Sequence, residues 1–450
     1  MSTMSIPELI AEQRKFFNTG ATKEAGFRLD QLRRLSKALD RYEEDIYLAV
    51  FKDLHKPRFE MQVDEMALMR GELDCALANV EDWARPFDVP VRGRVLANRG
   101  LVYPEPYGVS MIMAPWNYPF LLLISPLIGS IAAGNCSVLK PSEISENSSR
   151  LMAEMIADTF DSAYIAVVEG GAEVSRELLA EKFDYIFFTG SGQVGKSVMH
   201  AAADHLTPVT LELGGKSPCI VDSKANIDNA ANRIVWGKFM NAGQTCIAPD
   251  YLIVQETVKG ELLLAIQKNV RMFYGENPMH SSNYARIINK RHFERLSRLL
   301  DYGNIIAGGR QDASQLYIEP TVMEEVTLDG PLMQEEIFGP ILPVFTFVDL
   351  ADAIADVNSR PKPLALYFFS SNLEKQMRVL KDTTSGGVTI NSTLLHASTQ
   401  TIPYGGVSES GMGAYQGKHS FDTFTHYKGV YAKQIAGDYR PGVPYPTVKP

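Results

Sequence analysis

The feature that most constrains the fold of this chain is an ordered alternation of strand-like and helical segments between residues 108 and 215. Apolar runs such as GVSMIMA (108–114) and CSVLK (136–140) are typical of buried strands, and FLLLISPLIGSIAAG (120–134) between them has the length of a helix. Strands that alternate with helices predict a parallel sheet with helices on both faces. A second series of this kind, from residue 217 to residue 391, predicts a second α/β domain.

The stretch from Pro106 to Leu139 contains no charged residue, and its length alone would suit a membrane span. Pro115, Pro119 and Pro126 interrupt it, however, and it divides into the first strand, helix and strand of the alternating series. Parallel strands are buried on both faces, so a βαβ unit explains the missing charges. We therefore predict no transmembrane segment.

Composition excludes several classes of protein. A chain of 450 residues predicts two or three domains, and 45% hydrophobic with 22% charged residues is typical of a globular protein. The net charge of -9 offers no basic surface for nucleic acid. The 4 cysteines are widely separated, which indicates a reducing, cytoplasmic location. None of the 8 histidines has a partner at metal-ligand spacing, so no metal is predicted.

Two segments outside the alternating series predict a β-ribbon. VPVRGRVLANRGLVYPEP (89–106) has the composition of a hairpin, and the closing segment FDTFTHYKGVYAK (421–433) is strand-like and suited to pair with it. A ribbon cannot bury both faces by itself, which makes it a candidate for packing on a partner subunit.

Ligands of open parallel sheets bind beyond the carboxyl ends of the strands, and two such ends suit a nucleotide. FTGSGQVG (188–195) resembles a turn that opens a helix, where backbone N–H groups can hold phosphate, although a plain tight turn is the alternative. In KPSE (140–143), Lys140 and Glu143 are placed either to bind ribose hydroxyls or to form a solvated ion pair.

Three other positions suit chemistry on a substrate. The amide of Asn117, in the loop APWNYP (114–119), can donate to an oxyanion or cap the following helix. Glu212 stands between two leucines, where desolvation would raise its pKa towards that of a general base. Cys246, in NAGQTCIAPD (241–250), has small neighbours and is open to a substrate. The remaining cysteines lie in apolar patterns and are assigned to packing: Cys75, Cys136 and Cys219.

Seven motifs occur in the order found in the aldehyde dehydrogenase superfamily: APWNYP, KPSE, FTGS, LELGGKSP, GQTCIAPD, EEIFGP and PYGGVSESGMG. The wording of the first and fifth resembles the class 3 branch, which includes fatty and aromatic aldehyde dehydrogenases and bacterial relatives. The resemblance covers residues 5 to 430 and implies an α/β fold with two Rossmann-like domains, open parallel sheets and a β-ribbon arm. It implies a dinucleotide-binding domain (1–86 and 107–213), a catalytic domain (214–399) and the oligomerisation arm of a homodimer (87–106 and 400–435).

The resemblance implies oxidation of a medium or long aliphatic, apocarotenoid-type or aromatic aldehyde to its carboxylic acid with NAD(P)+. Cys246 would form a thiohemiacetal and then a thioester, and Glu212 would activate the hydrolytic water. The Asn117 amide and the Cys246 N–H would form the oxyanion hole. The implied cofactor-binding residues are Lys140 and Glu143 at the adenosine ribose, Gly190, Ser191 and Gly195 along the pyrophosphate, Glu336 at the nicotinamide ribose, Phe338 near the nicotinamide, and Trp116 and Leu213 in the same site.

A carboxylate at Glu143 would repel the extra phosphate of NADP, so NAD is predicted to be preferred, with NADP also accepted as in class 3 enzymes. Two residues depart from the family pattern. Ser408 replaces a glycine, and a positive φ there would cost roughly 1 kcal/mol or more near the substrate entrance. Tyr404 stands where phenylalanine is common, which is a milder change.

Two other functions remain open at this stage. A cysteine-dependent esterase would use the same thiol without a nucleotide, but no histidine is placed to assist it. A catalytically idle NAD-binding protein of the same fold would need a damaged site, whereas Cys246, Glu212 and Asn117 are all present.

Overall fold

A computed structural model of the chain describes residues 4–91 and 99–433. The helices are α1 (Ile6–Asn18), α2 (Ala25–Leu54), α3 (Arg58–Met61), α4 (Ala67–Trp83), α5 (Leu121–Ala133), α6 (Glu146–Thr159), α7 (Ala172–Ala180), α8 (Gly192–His205), α9 (Ile227–Phe239), α10 (Lys259–Tyr274), α11 (Lys290–Leu299), α12 (Pro331–Gln334), α13 (Leu350–Asn358), α14 (Leu373–Asp382) and α15 (Lys418–Thr423). The strands are β1 (Phe87–Val89), β2 (Arg99–Pro106), β3 (Val109–Met113), β4 (Cys136–Lys140), β5 (Ile165–Val167), β6 (Tyr185–Thr189), β7 (Val209–Glu212), β8 (Pro218–Val221), β9 (Tyr251–Gln255), β10 (Asn304–Ala307), β11 (Gln311–Asp312), β12 (Tyr317–Ile318), β13 (Thr321–Glu324), β14 (Ile341–Phe347), β15 (Ala365–Phe369), β16 (Gly387–Ile390), β17 (Gly411–Met412) and β18 (Thr425–Ala432).

The first alternating series forms one sheet in the order β17-β7-β6-β3-β4-β5. Its strands are parallel except β17, a short edge strand that comes from much later in the chain and pairs antiparallel with β7. Every residue of β3, β4 and β6 is buried, as expected for strands covered on both faces. The predicted parallel sheet is therefore confirmed, with one antiparallel strand added at its edge.

The charge-free stretch folds as predicted into β3, α5 and β4. Helix α5 is buried from Leu122 to Ala133, which explains why it carries no charge on any face. Within the described ranges, no helix is both long and apolar enough to cross a membrane.

The second series forms a sheet in the order β10-β13-β14-β9-β8-β15-β16, parallel except for β10 at one edge. The sequence pattern predicts helices at 227–243, around 290–301 and around 372–382 in this series, and the structure adds α10, α12 and α13. In α10 the buried residues Leu262, Leu263 and Ile266 lie on a helix that packs against α9, whereas Leu264 and Met272 are exposed. Apolar residues on the exposed side weaken the periodic signal by which an amphipathic helix is predicted.

Strands β1, β2 and β18 form a third, antiparallel sheet. Its longest pairing runs from Thr425 opposite Pro106 to Ala432 opposite Arg99, so the closing segment does pair with the predicted ribbon. The first residues of that segment belong to α15 rather than to the strand. The turn of the ribbon, residues 92–98, and residues 434 and 435 of the predicted arm lie outside the described residues.

Candidate active site

Three side chains predicted to carry the chemistry come from separate parts of the chain and meet at one point. Glu212 is the last residue of β7, Asn117 lies in the loop after β3, and Cys246 follows the 3-10 turn Met240–Gly243 at the end of α9. The Cys246 thiol donates to Oε1 of Glu212 at 3.5 Å. The sulfur and the carboxylate, which belong to the two different alternating series, are therefore in direct contact.

The turn that presents Cys246 has an unusual backbone. Asn241, Ala242 and Gly243 all have positive φ, at 52°, 52° and 73°. A Cβ on Gly243 would lie 2.3 Å from the carbonyl oxygen of Gly339, so this position requires glycine. Left-handed conformations of the two non-glycine residues cost of order 1 kcal/mol each, and the surrounding contacts must hold them in place.

Buried hydrogen bonds hold this turn. The Asn241 N–H donates to Oε2 of Glu60 at 2.9 Å, and its side-chain amide donates to the Asn117 carbonyl at 3.0 Å. The side chain of Gln244 donates to the carbonyl of Asn241 at 3.0 Å and accepts from the N–H of Ile288 at 3.0 Å. The position of the thiol is therefore determined by polar contacts to three other segments.

Asn117 is tied to the cysteine loop and does not cap the helix that follows it. Its Nδ2 donates to the carbonyl of Gln244 at 3.0 Å. The first N–H groups of α5, at Phe120 and Leu121, donate instead to Oε2 of Glu65, each at 3.1 Å. The capping role that the sequence left open for Asn117 is thus filled by another residue.

Glu212 is 1% exposed and accepts hydrogen bonds on both of its oxygens. Oε1 accepts from Cys246 and from the Tyr404 hydroxyl at 3.2 Å, while Oε2 accepts from Tyr415 at 2.6 Å and Thr189 at 3.3 Å. Burial raises the pKa of Glu212 above its ordinary value, and the bonds from Tyr415, Cys246 and the other donors partly oppose this. The pKa of Glu212 is therefore raised, as predicted from its leucine neighbours.

The thiol also lies in a desolvated environment. Burial and the neighbouring Glu212 carboxylate raise the pKa of Cys246 well above its ordinary value, while the Tyr404 hydroxyl, 3.6 Å from Sγ, lowers it. At neutral pH the resting sulfur is therefore protonated, and Glu212 is the adjacent group able to accept its proton.

Two cavities meet at Cys246. The first, which we call the apolar cavity, has a volume of about 380 Å³. Much of its wall is hydrophobic: Leu68, Leu121, Leu122, Trp236, Met240 and Leu394. The second, the glycine-lined cavity, has a volume of about 570 Å³ and is bordered by Gly190, Ser191 and Gly214 as well as by Cys246. A molecule in each cavity would reach the sulfur from a different side.

The glycine-lined cavity has the features that a dinucleotide requires. Ser191 caps α8, accepting from the Val194 N–H at 3.5 Å, and the first residues of this helix face the cavity. Such a helix N-terminus suits a phosphate group. The Glu336 carboxylate lines the cavity and leaves no room for a side chain at Gly214, where a Cβ would lie 2.0 Å from its Oε2. Burial raises the pKa of Glu336 well above its ordinary value.

An aromatic surface completes this cavity. The rings of Trp116 and Phe338 are 5.4 Å apart and perpendicular, and Leu213 lies in the same wall. Of the twelve residues predicted for catalysis or cofactor binding, nine line this cavity: Trp116, Asn117, Gly190, Ser191, Glu212, Leu213, Cys246, Glu336 and Phe338.

Three predicted residues are not among the described residues that line the cavity. Lys140 is buried at the end of β4, where its ammonium group donates to the Pro141 carbonyl at 2.7 Å and lies 3.8 Å from Oε2 of Glu143. Gly195 lies on the face of α8 that packs against Leu213. The predicted contacts of Lys140, Glu143 and Gly195 with a cofactor would therefore be made outside this cavity or through neighbouring residues.

Several residues of the site were missed by the sequence analysis. Tyr404, Tyr415 and Thr189 surround Glu212, although Tyr404 had been noted only as a mild departure. Its signal is the hydroxyl group that it carries at a position where phenylalanine is common. On α11, His292 lines the glycine-lined cavity beside Trp116, with ring centres 5.2 Å apart. Burial lowers the pKa of His292 to about 4, so it is neutral in this setting.

Ser408, which replaces a glycine of the family pattern, has a positive φ of 60°, the conformation that is costly for serine. It opens the short 3-10 turn Ser408–Ser410, and the carbonyl of Ser410 accepts the N–H of Leu213 at 3.0 Å. The residue that departs from glycine is thus in the left-handed region, close to the strand end that carries Glu212.

Comparison with known proteins shows which family the chain resembles. The family model described as "Aldehyde dehydrogenase family" matches residues 2–430. A 4,4'-diaponeurosporen-aldehyde dehydrogenase of Staphylococcus aureus is 47% identical over 430 residues, which are 95% of this chain and 94% of that protein. Aldehyde dehydrogenase family 3 member B1 of Homo sapiens is 45% identical over 437 residues, 97% of this chain and 93% of that protein.

A solved structure is equally similar. The substrate-bound state of Staphylococcus aureus AldH superposes with a TM-score of 0.96 at 46% identity, and the match covers 98% of this chain and 97% of that one. The expected likeness to class 3 enzymes and the expected fold are therefore confirmed. The esterase and the idle binding protein receive no support.

Proposed function

Because the chain belongs to the aldehyde dehydrogenase family and is an oxidoreductase that acts on aldehydes with a nicotinamide cofactor, we propose that Cys246 is its nucleophile, Glu212 its general base and Asn117 its oxyanion-binding amide. The observation that carries this proposal is the position of the Cys246 sulfur, at the junction of two cavities and 3.5 Å from Oε1 of Glu212.

The first step is attack on the aldehyde carbon. The thiol proton passes to Oε1 of Glu212, and the thiolate of Cys246 adds to the carbonyl to form a thiohemiacetal. One hydrogen of the Asn117 Nδ2 is donated to the Gln244 carbonyl, which leaves the second for the developing oxyanion. The backbone N–H of Cys246 is the other proposed donor.

The second step converts this adduct to a thioester and then to the acid. When bound, a nicotinamide cofactor would supply the acceptor for the hydride that leaves the thiohemiacetal carbon. Once Glu212 has released the thiol proton to water, its carboxylate activates a water molecule for hydrolysis of the thioester, and its burial suits it to this role because a raised pKa makes a stronger base. Both steps thus depend on one carboxylate that lies beside the sulfur throughout.

The residues proposed to hold the cofactor fall into two groups. The N-terminus of α8 with Ser191 would bind the pyrophosphate, and Glu336 would accept from the nicotinamide ribose, with Trp116, Leu213 and Phe338 against the ring. Lys140 and Glu143 would contact the adenosine ribose, and the half-exposed Glu143 carboxylate would repel a 2′-phosphate. We therefore propose that NAD is preferred and NADP accepted.

The apolar cavity supports a hydrophobic aldehyde. Its wall of leucines, Trp236 and Met240 gives an alkyl chain or an aromatic ring apolar contact up to the sulfur. We propose medium or long aliphatic, apocarotenoid-type or aromatic aldehydes, and the name of the Staphylococcus aureus relative favours the apocarotenoid type.

Two further proposals concern assembly. The sheet of β1, β2 and β18 would serve as the arm of a homodimer in the cytoplasm, and its exposed residues, such as Tyr103 and Tyr431, are suited to packing on a partner. The division into domains at residues 1–86 with 107–213, 214–399, and 87–106 with 400–435 remains a prediction. Sedimentation of the full chain tests the dimer.

The decisive experiment measures NADH formation with aldehydes of increasing chain length and with aromatic aldehydes, using NAD and NADP in turn. Cys246→Ser should abolish turnover, whereas the matched control Cys75→Ser, at a cysteine that lines neither cavity, should retain it. Turnover by Cys246→Ser, or its equal loss in Cys75→Ser, would contradict the proposed nucleophile.

A further inference from the structure

The hydroxyl of Tyr404 makes two contacts that a phenylalanine could not make. Its oxygen lies 3.6 Å from Sγ of Cys246 and 3.2 Å from Oε1 of Glu212, and these two atoms are 3.5 Å apart. The three atoms form a nearly equilateral triangle. Tyr404 is 5% exposed, so its hydroxyl is largely shielded from solvent and its partners in this triangle are side chains of the protein.

We propose that Tyr404 is a catalytic hydrogen-bond donor, which donates to Glu212 while the Cys246 thiol is protonated and turns to the sulfur when the thiolate forms. This inference rests on the proposed role of Cys246 as nucleophile. It adds to the reaction a group that acts on the sulfur itself.

The chemistry of the triangle explains the switch. A tyrosine hydroxyl has one hydrogen to donate, and here two acceptors lie at similar distances from it. When the S–H bond of Cys246 breaks and a new O–H bond forms on Glu212, the negative charge moves from the carboxylate to the sulfur. The Tyr404 hydrogen follows that charge by rotation about its C–O bond, because a hydrogen bond to a charged group is about twice as strong as one to a neutral group. No proton enters or leaves the triangle.

The ring of Tyr404 is held firmly enough for this role. Its backbone pairs with that of Tyr415 through N–H···O bonds of 3.0 and 2.8 Å, and the two rings meet edge to face with centres 5.4 Å apart. The His396 ring lies 5.9 Å away on another side. Tyr415 donates to Oε2 of Glu212, whereas Tyr404 donates to Oε1, so the two tyrosines bind different oxygens of one carboxylate. Of these two tyrosines, Tyr404 is the one whose hydroxyl also contacts the sulfur.

The sulfur needs such a donor. Burial and the Glu212 carboxylate both raise the pKa of the Cys246 thiol, and the hydrogen bond from Tyr404 acts in the opposite direction. A simpler interpretation is that Tyr404 only forms part of the wall of the apolar cavity, which it does line. In that case loss of its oxygen would change substrate affinity and leave thiolate formation untouched.

The test compares Tyr404→Phe with Tyr415→Phe in the full-length protein. The rate at which iodoacetamide alkylates Cys246 is measured against pH without cofactor, with the modified cysteine identified by mass spectrometry. In Tyr404→Phe we expect the profile to move to higher pH and the rate at neutral pH to fall about tenfold, the effect of one hydrogen bond to a charged group. The value of kcat should fall more than KM rises.

Tyr415→Phe is the matched control, since it removes a hydroxyl that donates to the carboxylate. Its loss makes Glu212 a better acceptor of the thiol proton, so the alkylation rate of Cys246 at neutral pH should not fall. Thermal unfolding of both variants shows whether the packing of the rings is preserved.

Three results would overturn the inference: an unchanged alkylation profile in Tyr404→Phe, a change in KM alone, or an equal fall of the alkylation rate at neutral pH in Tyr415→Phe. Failure of the proposed function would look different. In that case Cys246→Ser would keep its turnover, whatever the behaviour of the tyrosine variants.

Discussion

The ammonium nitrogen of Lys56 lies 3.1 Å from a carboxylate oxygen of Glu65, and both side chains are buried. The second oxygen of Glu65 accepts from two successive backbone N–H groups that begin at Phe120. Lys56 also lies 3.8 Å from the centre of the Tyr118 ring. The loop that carries Asn117 is thus held from behind by a buried ion pair that takes no part in the chemistry.

Lys56→Met should therefore destabilise the fold and displace this loop. Removal of Lys56 leaves two buried carboxylates, those of Glu65 and Asp64, without the cation that lies 3.1 Å from each, which costs about 3 to 5 kcal/mol of unfolding free energy. Urea unfolding measures the loss. Lys15→Met, which breaks an exposed pair with Glu12, is the control and should leave the unfolding midpoint unchanged. Equal stability of the two variants would show that the buried pair is dispensable.

Ser408→Gly should make the protein more stable. Serine at φ 60° is strained, and glycine adopts this conformation freely, so we expect a gain of about 0.5 to 1 kcal/mol. Glu409→Gly, at the next residue, has no positive φ to relieve and should lose stability. A lower melting temperature for Ser408→Gly than for the unaltered protein would refute the strain argument.

Asn117→Ala separates a chemical role from a structural one. Loss of an oxyanion donor lowers kcat by about 100- to 1000-fold, whereas the start of α5 keeps its bonds to Glu65. We therefore expect a large loss of kcat with a small change in melting temperature, measured on the same preparation. A large loss of stability with kcat nearly intact would assign Asn117 to the scaffold.

Much of the site was predictable, because its central residues lie in short motifs at the ends of strands. Cys246, Glu212 and Asn117 are each identified from their sequence neighbours, and the structure rejects the alternative of a helix cap for Asn117. The burial of Glu212 followed from its two leucine neighbours.

The remainder depended on contacts between distant segments. Tyr404 and Tyr415 reach Glu212 across 192 and 203 residues, and no local pattern encodes such a contact. Strand β17 has two residues, too few for a period-two pattern, yet it places Gly411 opposite Glu212. The left-handed turn at Asn241 and Ala242 was equally hidden, since neither residue type requires it.

Glu143→Gln should weaken discrimination against NADP. The side chain of Glu143 is 50% exposed, so its repulsion of a 2′-phosphate is worth about 1 kcal/mol, and the ratio of kcat/KM for NADP over NAD should rise about fivefold. Glu154→Gln, an exposed acid farther along α6, serves as the charge-matched control and should leave the ratio unchanged. If both variants alter the ratio equally, net charge rather than Glu143 sets the preference.

The pH dependence of kcat should follow the ionisation of Glu212. Burial raises its pKa, and only the ionised carboxylate can activate water, so kcat should fall as acid protonates Glu212, at a higher pH than for an exposed glutamate. The hydrogen bond from Tyr415, at 2.6 Å, stabilises the ionised form and holds this pKa down. Without that bond the carboxylate protonates more readily.

Tyr415→Phe should therefore move the acidic limb of kcat to higher pH. Thr189→Val removes a longer contact, 3.3 Å, to the same oxygen, and should move the limb in the same direction by less. Steady-state rates with one saturating aldehyde across the acidic and neutral range measure both. An acidic limb that stays in place, or moves to lower pH, in Tyr415→Phe would mean that the ionisation controlling turnover belongs to a group other than Glu212.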